Sequence, residues 1–359
     1  MLAALFLVDA AASATAAVST IAGQCGRSGY RDGPALVALF NRPSRLQAVS
    51  VAGIERLYVL DDNNGCVRSM PLGLPPNGTV VRSETLCSDA STLAHVGPDA
   101  KFPNGTTRGW QHIDGPQGFW VAPDAKMLFI LDTDNNRVKV AHRSPGGNYT
   151  PWAVLAGSGA VGHSDGAAAN ASFSQPHGLS VAPRAGFVLV GDTFASCIRA
   201  VRISDGAVST IAGRCGWGGH QDVPRGGDAL SARFNHPHEV TVDPRNESIV
   251  YVSDVECFDD QPVQLASLNE RHHCGKTTGT NEEKFFTGVR KLELAYDGKG
   301  AVSVVSVSTV AGFFNASTPS RESSNNIGMG DNIGMGAAHK RAVPLRPRRC
   351  HSPQIVWPR

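Results

Sequence analysis

One short phrase recurs along this chain and limits what it can fold into. VSTIAG occupies residues 18–23 and again 208–213, and VSTVAG occupies 307–312. Three other phrases keep step with it. A lead-in reads FNRPSRL from Phe40, DGPQGFWV from Asp114, FSQPHGL from Phe173 and FNHPHEV from Phe234. A middle phrase reads LYVLDDNN from Leu57, LFILDTDNN from Leu128, VLVGDT from Val188 and VYVSD from Val250. A third reads CVRSM from Cys66, RVKVA from Arg137, CIRAV from Cys197 and VRKLEL from Val289. Each is apolar, of strand length, and stopped by a turn former such as Gly, Pro or Asp. Four short strands repeated every roughly 40–60 residues predict an all-β fold built of propeller blades.

Taken together, the four phrases resemble NHL repeats, which build β-propellers, and the resemblance covers most of residues 18–312. Whole blades are expected at 40–86, 114–157 and 173–213. A fourth starts at Phe234 and is broken by an insertion over 255–288. The copy at 18–23 reads as a fourth strand whose own partners are missing upstream. Propellers of this kind commonly close with six blades, so four recognisable blades imply a partial or open ring. Residues 1–17 have two readings. LAALFLV with the small residues after it is signal-like but lacks a leading Lys or Arg. LFLVD also matches the middle-strand phrase and could be a remnant strand. Residues 313–359 carry NIGMGDNIGMG and an Arg/Pro-rich end without strand period, and are expected to be a disordered basic tail.

Composition narrows the class. The 39 Gly and 22 Pro among 359 residues call for many turns and few long helices. No apolar run is long enough to cross a bilayer as a helix. The net charge of +2 hides an asymmetry: from Asn332 onward the chain has six Lys and Arg and no acid, which leaves the rest at about −4. A nucleic-acid-binding face on the propeller is therefore not expected.

Two features point to a secreted or lumenal glycoprotein. Asn-x-Ser/Thr occurs at Asn77, Asn104, Asn148, Asn170, Asn246 and Asn315. The cysteines also come in facing pairs. Positions aligned across the outer hairpin are Cys66 and Cys87 in the first blade and Cys197 and Cys215 in the third. The same positions are Arg137 and Gly159 in the second, and Gly288 and Phe314 in the fourth. Both positions are Cys or neither is, as a cross-strand disulfide requires. Cys257 and Cys274 bracket the first half of the insertion and are expected to staple it as a loop. Cys25 aligns with Cys215 but has no facing partner, and only Cys350 is left over.

Candidate chemistry is sparse. The residue after the lead-in proline starts the innermost strand, at the mouth of a central channel. It is Ser44, Gln117, His177 and His238, with His236 nearby. Some propellers that resemble this one are metal-dependent enzymes, namely peptidyl-hydroxyglycine lyases and gluconolactonase-type hydrolases. By that likeness His177 and His238, with Glu239, could hold half of a zinc or calcium site. Asp61, Asp132, Asp192 and Asp254 recur once per blade, as do Arg68, Arg199 and Arg290. A catalytic group is needed once and a frame residue once per repeat, so these read as turn formers and their partners. The Asp-Gly pairs at Asp32, Asp165 and Asp205 read as turns. Asp222 and Asp228 lie in a loop without EF-hand spacing. No catalytic residue, resident cofactor or nucleotide loop is assigned. The expected function is a non-enzymatic scaffold that binds a protein or glycan through its loops, with the metal-dependent lyase or hydrolase as alternative.

Overall fold

The computed structural model describes residues 20–72, 80–81, 113–145, 149–255, 285–297 and 301–315. They form four propeller blades, each an antiparallel sheet whose strands follow chain order. The first blade has strands Pro43–Val51, Ile54–Asp61 and Cys66–Pro71. The second has Phe119–Val121, Met127–Asp132, Arg137–His142 and Ala153–Ala156. The third has Gly178–Ala182, Phe187–Asp192, Cys197–Arg202 and Val208–Ala212. The fourth has His236–Asp243, Asn246–Val255, Phe285–Tyr296 and Val302–Asn315. Among the described residues no helix is long and apolar enough to cross a membrane.

The apolar middle strands are explained by burial on both faces. Side chains alternate across a strand, so neighbours in sequence serve opposite layers. In the second blade Leu128 and Ile130 pack with Tyr58 and Leu60 of the first. Phe129 and Leu131 turn the other way, toward Leu179, Val188 and Val190 of the third. In the third blade Leu189 and Ile198 face Val240, Val250 and Leu292 of the fourth. Burying such a side chain contributes about 1.5–3 kcal/mol, and the middle strands of the second and third blades do so on two sides, whereas the fourth buries Val250 and Val252 on one face and exposes Tyr251 on the other. The propeller therefore coheres by blade-on-blade packing.

One buried ion pair recurs in three blades and uses nearly every repeated residue. Asp192 ends the middle strand, and Arg199 on the next strand meets it with Nη1–Oδ2 at 2.8 Å. Arg199 Nη2 contacts Asp165 of the incoming link at 2.7 Å. The same guanidinium donates to the carbonyls of Ser172 and Ser164. Arg68 repeats this with Asp61, Asp32, Leu39 and Arg31. Arg290 repeats it with Asp254, Asp222, Arg233 and Gln221. The second blade substitutes Lys139, whose Nζ lies 2.6 Å from Asp132 Oδ2. The other oxygen of each Asp accepts the lead-in amide of its own blade, from Asn41, Asp114, Ser174 or Asn235. Each arginine also lies over the lead-in phenylalanine, 4.7 Å from the Phe40 centroid, 5.3 Å from Phe173 and 4.8 Å from Phe234. The glycine that closes VSTIAG packs on that same ring. At Gly213 (φ +86°) a Cβ would come 2.9 Å from Phe234.

These Asp residues are thus not local turn formers, as the sequence suggests. They bind backbone 18–20 residues away and neutralise a buried cation. Burial pushes the Asp192 carboxyl up, while Arg199 and the Ser174 amide pull it down. Asp165 and Asp222 also accept from Thr210 and Thr309 of the fourth strands, which ties each link to the outer edge of its blade.

Other expectations meet the structure unevenly. Residues 20–23 form no strand, and among the described residues no strand pairs with them. They keep only the turn, Gly23 donating to Ala35 as Gly213 does to Ala229. In the first blade Val80–Val81 pair with Gly33–Pro34 of the link. Cys197 and Cys215 form a disulfide with Cα atoms 5.0 Å apart. Cys25 and Cys66 are each engaged in a disulfide as well. In the second blade Arg137 fills the disulfide's place, its guanidinium so close to Gly159 that a Cβ there would meet Nη2 at 2.4 Å. In the fourth, Gly288 faces Gly312 and Phe314 faces Phe286, so the aligned pair is not opposed once the strands run on. That third strand already begins at Phe285. Residues 1–17, Cys87, Cys257, Cys274, Cys350, Asn77, Asn104, Asn148 and the tail beyond 315 lie outside the described residues.

The clamp makes a stability prediction. Arg199→Met should cost about 3–5 kcal/mol by leaving the Asp192 carboxylate buried and unpaired. Arg199→Lys, mimicking Lys139, should cost less. Urea denaturation of both variants checks the order, and equal losses would refute it.

Candidate functional site at the channel mouth

Glycine and threonine bring the innermost strands together. A Cβ on Gly178 would fall 2.8 Å from Val240 N and 2.9 Å from His238 O. One on Gly118 would meet His177 O at 2.7 Å. Only residues without side chains fit at these contacts. Across the two junctions from the second blade to the fourth, a threonine from the turn after the clamp Asp holds the next lead-in proline. Thr133 Oγ1 donates to Pro176 O at 2.8 Å and Thr193 Oγ1 to Pro237 O at 2.9 Å. His177 and His238 directly follow these prolines, so their positions are fixed by the frame.

Their rings are 4.8 Å apart, nearly perpendicular at 83°. Phe194 lies edge-on to His177 at 6.1 Å and 5.3 Å from His236. The Nδ1 of His177 is buried without a hydrogen-bond partner. Burial, then His238, Arg45 and His236, push its pKa down to about 3. Burial and Arg45 likewise lower His238. Both rings are neutral at pH 7, each with one ring nitrogen protonated and the other a free acceptor.

Arg45 was not legible as a site residue. It comes from the innermost strand of the first blade, its Nε donates to the Gln117 carbonyl of the second, and its guanidinium pairs with Glu239 of the fourth. It thus joins three blades at the axis. Beside it Gln47 and Val121 exchange two bonds of 2.8 Å. Glu239, the candidate third ligand, is held by Arg45 instead. Among the described residues no group of three or more His, Cys, Asp and Glu is placed to hold a metal ion. Ser44 is exposed, and Gln117 bonds the Asp62 side chain. Asp222 serves the clamp, while Asp228 caps the Leu230 amide. Asp205 closes its turn on the Ala207 amide and pairs with Arg202.

No family model matches the chain. Human NHL repeat-containing protein 2 is 23% identical over 303 residues, 77% of this chain and 38% of that protein. The chain therefore spans well under half the length of this curated relative. Solved structures with a similar backbone include an auxiliary nutrient binding protein from Bacteroides ovatus, with TM-score 0.40 and 16% identity over 59% of this chain and 46% of that one. Another is Kuenenia stuttgartiensis hydrazine synthase, with TM-score 0.36 and 10% identity over 80% and 53%.

Neutral burial of His177 has a pH consequence. Its folded pKa lies below the unfolded value, so this contribution is complete above about pH 6.5 and is lost as pH falls toward 3. The loss should be about 1.4 kcal/mol per pH unit. Chemical denaturation at pH 7.5 and 5 should show a smaller acid loss for His177→Phe than for the parent. Equal losses would mean the ring is not buried and neutral.

Proposed function

We propose that this chain, a β-propeller similar over 77% of its length to an NHL repeat-containing protein, serves as a non-enzymatic scaffold, secreted or lumenal, that binds a protein or glycan through its loop-bearing face. The carrying observation is that the residues repeated in every blade are consumed by the frame. The clamp carboxylates are 0% exposed and paired with Arg or Lys. What varies between copies lies in the loops, where a rigid propeller presents its recognition residues. Export is supported by six Asn-x-Ser/Thr sites, of which Asn170 and Asn246 are exposed, and by the Cys197–Cys215 disulfide.

A metal-dependent lyase or hydrolase remains the second reading, favoured by the 4.8 Å approach of His177 and His238. Elemental analysis of protein recovered from the secretory pathway separates the two. The scaffold reading expects no stoichiometric zinc or calcium and N-glycan on Asn170 and Asn246. A stoichiometric metal that disappears in a His177→Ala, His238→Ala double variant would overturn it in favour of the enzyme. Free thiols at Cys197 and Cys215 on non-reducing peptide mapping would defeat the export reading.

A further inference from the structure

Trp217 is 52% exposed, yet its backbone is held from several sides. The loop leaves the fourth strand of the third blade at Gly213, and Cys215 is bonded to Cys197 two residues before the indole. Gly216 donates to Ala195 O at 2.7 Å, Trp217 to Arg214 O at 3.0 Å and Gly219 to Phe234 O at 3.0 Å. Gly216 and Gly219 sit at φ +79° and +140°, so the loop conformation depends on them. A large apolar ring displayed on so constrained a loop loses little conformational freedom when it is covered.

Two arginines flank the ring. The guanidinium of Arg214 lies 4.4 Å from the ring centroid and that of Arg233 lies 5.7 Å away. Neither has a carboxylate partner among the described residues. The acids nearby are committed: Asp165 and Asp222 to the clamps, Asp228 to its cap. A guanidinium packed on an aromatic ring can still direct its N–H fork outward, where it matches a planar carboxylate.

The cluster is also singular. The bond from Gly219 to Phe234 is repeated by Gly29 to Phe40 and Gly162 to Phe173, which fixes the alignment of the links. In that alignment Trp217 corresponds to Arg27 and Ala160, and Arg233 to Leu39 and Ser172. Arg214, whose amide bonds Ala232 O as Ser158 bonds Ala171 O, corresponds to Ser158 and, counted from the closing glycine, to Gln24. The frame is built equally well without the indole and its two cations.

We infer that Arg214, Trp217 and Arg233 form a docking platform for an acidic segment of a partner protein. This rests on the scaffold reading and names the partner's chemistry. Trp and Arg on a preorganised loop are the residues that dominate protein interfaces. Two guanidiniums without a carboxylate partner beside an exposed indole complement a segment that carries carboxylates, which favours an acidic peptide over a neutral glycan.

Full-length protein titrated with a polyglutamate peptide tests it, with Trp217→Phe identifying which part of the tryptophan fluorescence responds. Saturable, salt-sensitive binding is expected, weakened at least about tenfold in Arg214→Gln, Arg233→Gln and absent for polyglutamine. The Arg214→Lys, Arg233→Lys variant keeps the charge but not the fork, and should bind between the two. Near-UV circular dichroism confirms that each variant is folded. No saturable binding to the parent, or equal affinity in the Gln variant, would overturn the proposal. Tighter binding of a heparin-derived oligosaccharide than of polyglutamate would overturn the assignment to an acidic protein segment. Each of these removes this platform alone, since the scaffold reading is decided by metal content and thiol state.

Discussion

A buried cation paired with a buried carboxylate holds each module together, a guanidinium between two carboxylates in three blades and Lys139 in the second. Arg199 joins four chain segments at once: its own strand, the middle strand through Asp192, the lead-in through Ser172, and the link through Ser164 and Asp165. An isolated charge at that depth would be strongly unfavourable, so each partner needs the others in place. Such mutual need sets the register. If the third strand slipped by one residue, the arginine would move to the opposite face of the sheet and all its contacts would be lost. Apolar packing supplies cohesion without direction, whereas this ion pair specifies which segment meets which.

The clamp also joins neighbouring blades. The phenylalanine beneath the guanidinium belongs to the lead-in of the same blade, and the glycine packed on it ends the preceding fourth strand. From the lead-in the chain passes at once to the proline held by Thr133 or Thr193, and then to the axis histidine. Position is thus transmitted from a buried charge to the channel mouth over a few residues of constrained backbone. The axis histidines are neutral for the same reason they are well placed: the close approach of strands that fixes them also excludes water.

Most of this frame could be read from the sequence, because repetition exposes it. The period, the four strands, the facing cysteines at Cys197 and Cys215, and the structural role of the recurring Asp and Arg all follow from comparing one copy with another. Geometry that depends on partners did not follow. The Asp residues resemble turn formers in sequence, since the amide each one binds lies in another phrase. The pair Gly288 and Phe314 aligns by counting but is separated by strands that continue past the usual end. Arg45 was missed because it is unique to one blade and its partners come from two others. Its sequence context, PSRL, gives no sign of where its side chain goes.

The division between repeated and singular residues also shows where this propeller can change. Each link is fixed at its start by the glycine that ends the fourth strand and at its end by the Asp that reaches the clamp. In the third link those points are Gly213 and Asp222, and in the first they are Gly23 and Asp32. Between them the clamp takes only the backbone carbonyl just before that Asp, from Gln221 or Arg31, and so Arg27 can become Trp217 without disturbing the buried charge. A substitution at Asp192 or Phe173 has no such freedom, because four segments depend on it. Variation is therefore open in the third link, which the disulfide ties down, whereas at the axis of the second and third blades Gly118 and Gly178 leave no room for a side chain.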